Sequence, residues 1–481
     1  MKNRILYGIF LIVLSLCLIC YFINAYVAIS FPYDIDYGEG ILLNQAKLFA
    51  RGTDIYRDIS NYPFLVGMYT PVYSLMSAFF VKLFGISFSI GRAISIVSAI
   101  LIGFLIYKFN RGRTGREIAL FSSLIFFASP YINTWTCLFR VDTLGLLFSL
   151  TGLYFVYKYE NNKKVYIAVP FLLLSIYTKQ SFIAAPIASF LYLFLKDKKR
   201  GLAFIGLFGS VALILFLIIN YVTDGEFFLH AVAYNAYPFS KRMAILRYRD
   251  MISSHIILFG FASAYTINVL SKRERNLFVI YFILSALIAL TVGKAGAVIN
   301  YFLETIAASC ILTGALWDEL RSRIDRESLS NNLVLVLLLL QLVLFLHLPH
   351  TYWWRLGPDK AAAISNFKKI SSYVKEAGDN ILSQNASFIV LNDKTYLFQP
   401  YEFSVLQRQG LWDQSKLVKD IKAEKFSLIL LYFDVNDENS FNDHRAFFTN
   451  EMRDAIRKGY YIVEKIGGTY IYMPESRRIK S

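Results

Sequence analysis

Asp34, Asp36 and Glu39 stand within six positions of one another, directly after the first long apolar run of the chain (FPYDIDYGEGILLNQAKLFARG, residues 31–52). Ionised carboxylates beside hydrocarbon are costly and are seldom placed there without a partner or a task. A helix beginning near Asp36 would put Asp36 and Glu39 on one face. Such a cluster could take a proton from an acceptor or hold a cation. The same acids also suit a helix start, since negative charge is favoured in a first turn. The residue types alone leave both readings open.

Elsewhere, polar residues of the same kind sit at the edges of apolar runs. Arg140 and Asp142 lie in LFRVDTLGLLF, Lys179 and Gln180 follow Thr178, and Lys294, Asn300, Tyr301 and Glu304 lie in GKAGAVINYFLE. Residues 223–250 add His230, Lys241, Arg242, Arg247 and Arg249. Cations of this kind could bind an anion at a membrane surface, phosphate above all. Each also has a plainer use. Arg140 and Asp142 could pair with each other, Lys179 could snorkel to headgroups, and the later cations could meet anionic lipid. His230 and His255 suit a structural role better than metal ligation.

The elements that must position these residues are helices in a bilayer. The 481 residues are 56% hydrophobic and only 17% charged, whereas soluble domains are about a quarter charged. Twelve apolar blocks can be traced: residues 5–29, 69–84, 90–107, 118–129, 143–157, 165–177, 182–195, 202–222, 252–270, 277–292, 301–316 and 333–348. Several fall short of the ~20 residues a spanning helix needs. The net charge of +16 does not indicate nucleic acid, because the basic residues form short clusters between apolar runs. These are Lys2/Arg4, Lys108–Arg116, Lys158–Lys164, Lys196–Arg200, Lys272–Arg275 and Arg321–Arg326. If residues 69–85 form a juxtamembrane helix that does not cross, every cluster falls on the cytoplasmic side, as the positive-inside rule expects. About eleven spanning helices then remain, and all the polar residues above collect at the outer face. The four cysteines match neither a disulfide framework nor a zinc site. The first run is too long for a signal-peptide core and reads as a retained helix.

Past Trp353 the pattern changes. Ser387–Asn392 and Ser427–Phe433 read as strands, Lys360–Ala377, Trp412–Lys425 and Phe441–Lys458 as helices, and Tyr460–Met473 as a hairpin turning at Gly467-Gly468. The expected organisation is a transmembrane domain over residues 1–352, with an acidic first outer loop at 30–68 and a juxtamembrane helix at 69–85. A small soluble extracytoplasmic α/β domain follows at 353–481.

Taken in order, several short motifs resemble those of the integral-membrane GT-C glycosyltransferases of the protein mannosyltransferase and aminoarabinose transferase type. They are Asp36-Tyr37-Gly38-Glu39-Gly40 followed by Ala50-Arg51-Gly52, then Tyr69-Thr70-Pro71-Val72-Tyr73 with Leu83-Phe84-Gly85, Gly91-Arg92, Arg140-Val141-Asp142 and Asn300-Tyr301. The resemblance implies a polytopic α-helical membrane protein of GT-C type. It implies a polyprenyl-phosphate-linked sugar donor, a glycan, lipid or protein acceptor, and a site on the outer face of a bacterial or archaeal plasma membrane. Asp36 matches the family's acceptor-activating aspartate, with Asp34 and Glu39 beside it. Arg140, Asp142, Lys179, Gln180, Lys241, Arg242, Asn300, Tyr301 and Glu304 are the residues expected to bind substrate. The chain departs from the family pattern where Asn300 replaces an arginine and where Glu304 stands in place of a proline. No histidine matches a metal ligand, so the metal set is unknown and a divalent cation stays open. Two other readings of the same residues are a lipid-linked oligosaccharide polymerase or ligase, and a transporter or flippase of an anionic lipid-linked substrate. No internal repeat of the kind transporters show is present, and no Gly-rich nucleotide loop.

Overall fold

The computed structural model describes residues 4–323, 327–347 and 358–478. Lys2, residues 324–326 of the last basic cluster and the expected domain boundary at Trp353 lie outside them. The chain is an α-helical integral membrane protein with a small sheet near its C-terminus. Four helices are long and apolar enough to cross a bilayer: Arg4–Ser30, Phe88–Arg111, Lys198–Val222 and Ile299–Arg321. Shorter apolar helices pack among them, including Arg116–Ala128, Asp142–Tyr159, Ala184–Lys196 and Leu277–Ala289. The outer helices present bare hydrocarbon. Leu213, Ile214, Leu217 and Ile218 are exposed, and only 11% of the apolar stretch of Lys198–Val222 is buried, against 89% for Ile299–Arg321. An apolar surface of that kind needs lipid around it.

Two places in the bundle carry helix breaks. Residues 165–195 form two short helices, Ala168–Thr178 and Ala184–Lys196, joined at Lys179. The block 252–270 is the second arm of a pair, Lys241–Ser254 and Ile256–Ser271, bent by 94° at His255. The first break brings backbone out of regular helix at the functional site, where Lys179, Gln180 and Ser181 line the cavity.

Charge separates the two ends of the bundle. At one end, Arg113 stacks on Tyr157 and Phe278 (4.8 and 5.3 Å to the ring centres). Lys196 pairs with Glu160 at 2.7 Å, Lys272 with Glu319 at 2.6 Å, and Arg275 donates to the Leu195 carbonyl. The clusters at 108–116, 158–164, 196–200 and 272–275 therefore share one end, and the polar residues of the candidate site occupy the other.

The C-terminal sheet runs in the order β1-β2-β4-β3, with β1 Ile381–Ser383, β2 Leu428–Leu431, β3 Tyr460–Ile466 and β4 Thr469–Pro474. β1 and β2 are parallel, so a crossover must join them, and helices Pro400–Arg408 and Ser415–Lys422 supply it. β3 and β4 form the expected hairpin, with Gly467 at positive φ in the turn. Two expectations are corrected. Residues 387–392 are not a strand: Ala386–Val390 is helical, because the Asn385 side chain accepts from the Ser387 N–H at 2.8 Å and caps it. The strand lies upstream at Ile381, and a short apolar run fits either period. Phe441–Lys458 is two helices, Glu438–His444 and Asn450–Gly459, the second capped by Thr449.

This unit shares its core with the first loop. Ile41, Leu42 and Leu43 pack with Phe388 and Ile389, and Phe64 and Val66 pack with Phe398, Phe403 and Trp412. Phe64 exchanges backbone hydrogen bonds with Leu397 and Gln399 (2.8 and 3.1 Å), and Lys47 pairs with Asp393 at 3.1 Å. The approach is close: a side chain at Gly40 would lie 3.0 Å from the Ser387 nitrogen. A Gly40→Val variant is expected to separate the two surfaces, read as faster proteolysis within residues 358–478 while the membrane helices stay intact.

Candidate active site

Asp36 caps the helix Tyr37–Ala50: it is extended (φ −135°, ψ 143°) and accepts from the Gly38 N–H at 3.0 Å. Because it stands outside the helix, it does not share a face with Glu39. Glu39 instead points inward and is fully buried against Arg92. The pair is bidentate, with Nε to Oε1 at 2.9 Å and Nη2 to Oε2 at 2.7 Å. Arg92 also donates to the carbonyls of Ala28, Phe31 and Tyr33 (2.7, 2.6 and 2.6 Å). Glu39 accepts from the N–H groups of Phe139 and Ile35 (2.7 and 2.6 Å). Burial alone would raise this carboxyl; Arg92 and the two N–H groups outweigh it and hold Glu39 below its ordinary range. Every polar atom of the pair is occupied, so Glu39 fastens the first helix, the first loop and the helix Phe88–Arg111 to one another and has no lone pair left for a substrate.

Arg140 and Asp142 do not pair. The helix Asp142–Tyr159 begins between them, and they turn to opposite partners. Arg140 binds Asp36 and lies over the Trp135 ring at 5.2 Å. Its Nε is buried without an acceptor. Asp142 accepts from Lys179 Nζ (2.7 Å), Asn300 Nδ2 (2.8 Å) and Trp135 Nε1 (2.7 Å). Lys179 is buried, which opposes its charge, but Asp142 and the rings of Tyr301 and Tyr69 raise its pKa above the usual lysine value. The Lys179 ammonium sits 4.5 Å above the Tyr301 ring. It therefore stays charged at any physiological pH.

These groups border a cavity of about 330 Å³. Of the residues expected from sequence, Asp36, Arg140, Lys179, Gln180, Asn300 and Tyr301 line it. Asp142 stands just behind and orients Lys179 and Asn300. Asp34 lies to the side, accepting from Asn385 Nδ2 at 2.9 Å, and burial raises its carboxyl. Three expected substrate contacts, Lys241, Arg242 and Glu304, stand outside the cavity lining. Lys241 and Arg242 are exposed on the helix Lys241–Ser254, outside the cavity lining. Glu304 is buried in the bundle, where the Tyr281 hydroxyl donates to it at 3.1 Å. His230 accepts from the Gly67 N–H at 2.8 Å and meets the Arg57 carbonyl at 2.8 Å; with His255, held between Ser129 and Ser254 (both 2.8 Å), it serves the fold.

The C-terminal unit closes the cavity with Tyr401, Glu402 and Phe447, and the segment 235–237 adds Asn235 and Tyr237. None of these was singled out from sequence. Pro400 starting a helix was the one local cue, and nothing in spacing ties position 402 to position 36. Lys294 completes the cationic side. Burial and the charge of Lys179 depress it to about 8, and its Nζ donates to Asn235 Oδ1 at 2.6 Å. Among the described residues no three His, Cys, Asp or Glu side chains are grouped to hold a metal ion. Asp36 and Asp142 are each paired with a cationic side chain, Arg140 and Lys179.

Gly38 keeps the Asp36–Arg140 pair in place, since a Cβ there would lie 2.0 Å from Arg140 Nη1. Gly38→Ala should move the guanidinium without unfolding the protein. The expected result is weaker binding of inorganic phosphate at the cavity with an unchanged melting temperature.

Residues 68–222 match the family model of dolichyl-phosphate-mannose-protein mannosyltransferase. No curated protein sequence matches the chain. Among solved structures, ArnT from Cupriavidus metallidurans in the apo state is similar over 97% of this chain and 98% of its own, at 12% identity and a TM-score of 0.62. The same protein bound to undecaprenyl phosphate is similar over 95% and 97%, at 12% identity and a TM-score of 0.57. The oligosaccharyltransferase of Archaeoglobus fulgidus tethered with an acceptor peptide is similar over 95% and 74%, at 11% identity and a TM-score of 0.53. The fold is that of the GT-C glycosyltransferases, as the sequence motifs imply.

Proposed function

We propose that the chain is an inverting glycosyltransferase that moves a sugar from a polyprenyl-phosphate donor to an acceptor at the outer face of a bacterial or archaeal plasma membrane. One observation carries this reading: carboxylates and cations far apart in the chain, from Asp36 to Glu402, meet in one cavity at the end of the bundle away from the basic clusters. The shared fold with a protein captured on undecaprenyl phosphate supports it. In this reading residues 1–352 form the membrane domain, residues 69–85 lie along the outer interface, and residues 353–481 cap the site from outside.

The donor phosphate replaces Asp36 as the partner of Arg140 and meets Lys179 and Lys294. Arg140 has an unused Nε donor for this purpose. As the bond from the sugar's anomeric carbon to the phosphate oxygen breaks, the electron pair leaves with the phosphate. Fixed cations stabilise that developing charge where water is scarce. Asp36, released from Arg140, takes the acceptor's proton as its oxygen or nitrogen attacks the anomeric carbon from the other face. Because Lys179 is already fixed by Asp142, it needs little reorganisation when the donor arrives.

The test is reconstitution of the purified protein in liposomes with labelled polyprenyl-phosphate sugars from the host membrane. Free polyprenyl phosphate should accumulate in proportion to sugar transferred. Donor carried across the bilayer with its sugar still attached would overturn the reading in favour of transport.

A further inference from the structure

We propose that Glu402 holds the acceptor beside Asp36, and that the acceptor's attacking group is a hydroxyl of an uncharged sugar or polyol and not a phosphate; this rests on the transferase reading above. Lys179 and Lys294 line the cavity with Tyr301, and Lys294 lies 5.5 Å from the Tyr237 ring. Asp36, held by Arg140, lines it with Tyr37, Tyr401, Glu402 and Phe447. Asp36 and Glu402 both line this cavity, and the hydroxyl of Tyr37, the residue after Asp36, donates to Glu402 Oε2 at 3.3 Å. Around that space the rings are set edge to face: Tyr37 on Phe447 (5.2 Å) and Tyr237 on Tyr401 (6.1 Å), with Tyr401 tilted against Phe447 (5.5 Å). Aromatic walls with a carboxylate at the rim suit the apolar faces and hydroxyl edge of a sugar. With Arg140, Lys179 and Lys294 taken by the donor phosphate, a second phosphate at Glu402 would face a carboxylate with no cation within ion-pair distance among the described residues.

Glu402 also differs from the other acids of the site. Glu39, Asp36 and Asp142 are each bound to a cation, whereas among the described residues no cation lies within ion-pair distance of Glu402, although only 8% of the residue is exposed. The groups that face it are Tyr37 from the first loop, Tyr237, Tyr396, its neighbour Tyr401, and Arg140 beyond hydrogen-bond reach. Burial raises it to about 7, against the smaller opposing effects of Tyr37 and Arg140. As a carboxylate it accepts from two sugar hydroxyls. Once protonated it loses acceptor strength, so acceptor affinity should fall as pH drops through 7.

The probes are methyl hexosides and the matching hexose phosphates, titrated by intrinsic fluorescence into the purified full-length protein, well above and well below pH 7. At the higher pH a subset of the hexosides should bind, and Glu402→Gln should weaken them ~10–100-fold, the range for a hydrogen bond to a charged group. The same variant should raise KM for a hexoside acceptor and leave kcat nearly unchanged. Wild-type affinity should fall below pH 7 and that of Glu402→Gln should not; the wild-type profile alone is informative if the variant misfolds. Absence of hexoside binding at any pH, equal affinity of wild type and Glu402→Gln, or preference for the hexose phosphates would each overturn the proposal. If Asp36→Asn abolishes transfer while Glu402→Gln changes nothing, the transferase reading survives and this one does not. If wild type consumes no donor yet binds hexosides through Glu402, the converse holds.

Discussion

Asp36→Asn should abolish sugar transfer and leave donor binding intact. The asparagine keeps a side-chain oxygen for the Gly38 N–H, so the cap and the helix Tyr37–Ala50 should survive, given the hydrogen bond of 3.0 Å that holds them now. It cannot take a proton. Loss of a general base lowers rate by ~10²–10⁴, and kcat should fall by that factor. Polyprenyl phosphate affinity should hold or improve, because Arg140 no longer has a carboxylate competing with the phosphate. Single-turnover transfer and equilibrium binding of the donor separate the two effects. A variant that transfers at the wild-type rate would remove Asp36 from the chemistry.

The second large effect falls on stability. Arg92→Met should destabilise the protein by about 3–5 kcal/mol, the usual consequence of breaking a buried ion pair from one side. Glu39 would be left with no counter-charge at zero exposure, and the carbonyls of Ala28, Phe31 and Tyr33 would lose their donor. Replacing both partners, Glu39→Leu with Arg92→Met, should recover much of the loss, since an apolar pair of similar volume carries no unpaired charge. Melting temperatures of the single and double variants in detergent decide it. If the double variant melts below the single one, the pair is a net stabiliser through its links to the backbone.

How far the site was legible depended on how a residue announces itself. Asp36, Arg140 and Lys179 stood out because charge beside an apolar run is costly, and all three line the cavity. Their partners were hidden. Arg140 and Asp142 are two positions apart and invite a mutual pair, but a helix starts between them and sends Arg140 to Asp36 and Asp142 to Lys179. Glu39 was legible as a residue with a task, yet its task is structural, because its partner Arg92 comes from another helix. The same reasoning overread Lys241, Arg242 and Glu304: position at a run's edge does not say which way a side chain turns. Glu402 and Tyr237 gave no signal, since only folding brings the C-terminal unit over the first loop. Four of the six basic clusters read from the sequence share one end of the bundle. The interruption at Lys179 was legible, since one apolar block stops at 177 and the next starts at 182, whereas the bend at His255 was not, because it falls inside a continuous apolar block.

The central claim is most directly tested by mass spectrometry of surface glycans and glycolipids from cells with the wild-type protein, without it, and with Asp36→Asn. The account predicts that one monosaccharide unit disappears both on deletion and in the variant, with donor accumulating in the membrane. An unchanged inventory in the deletion, or full restoration by Asp36→Asn, would contradict it.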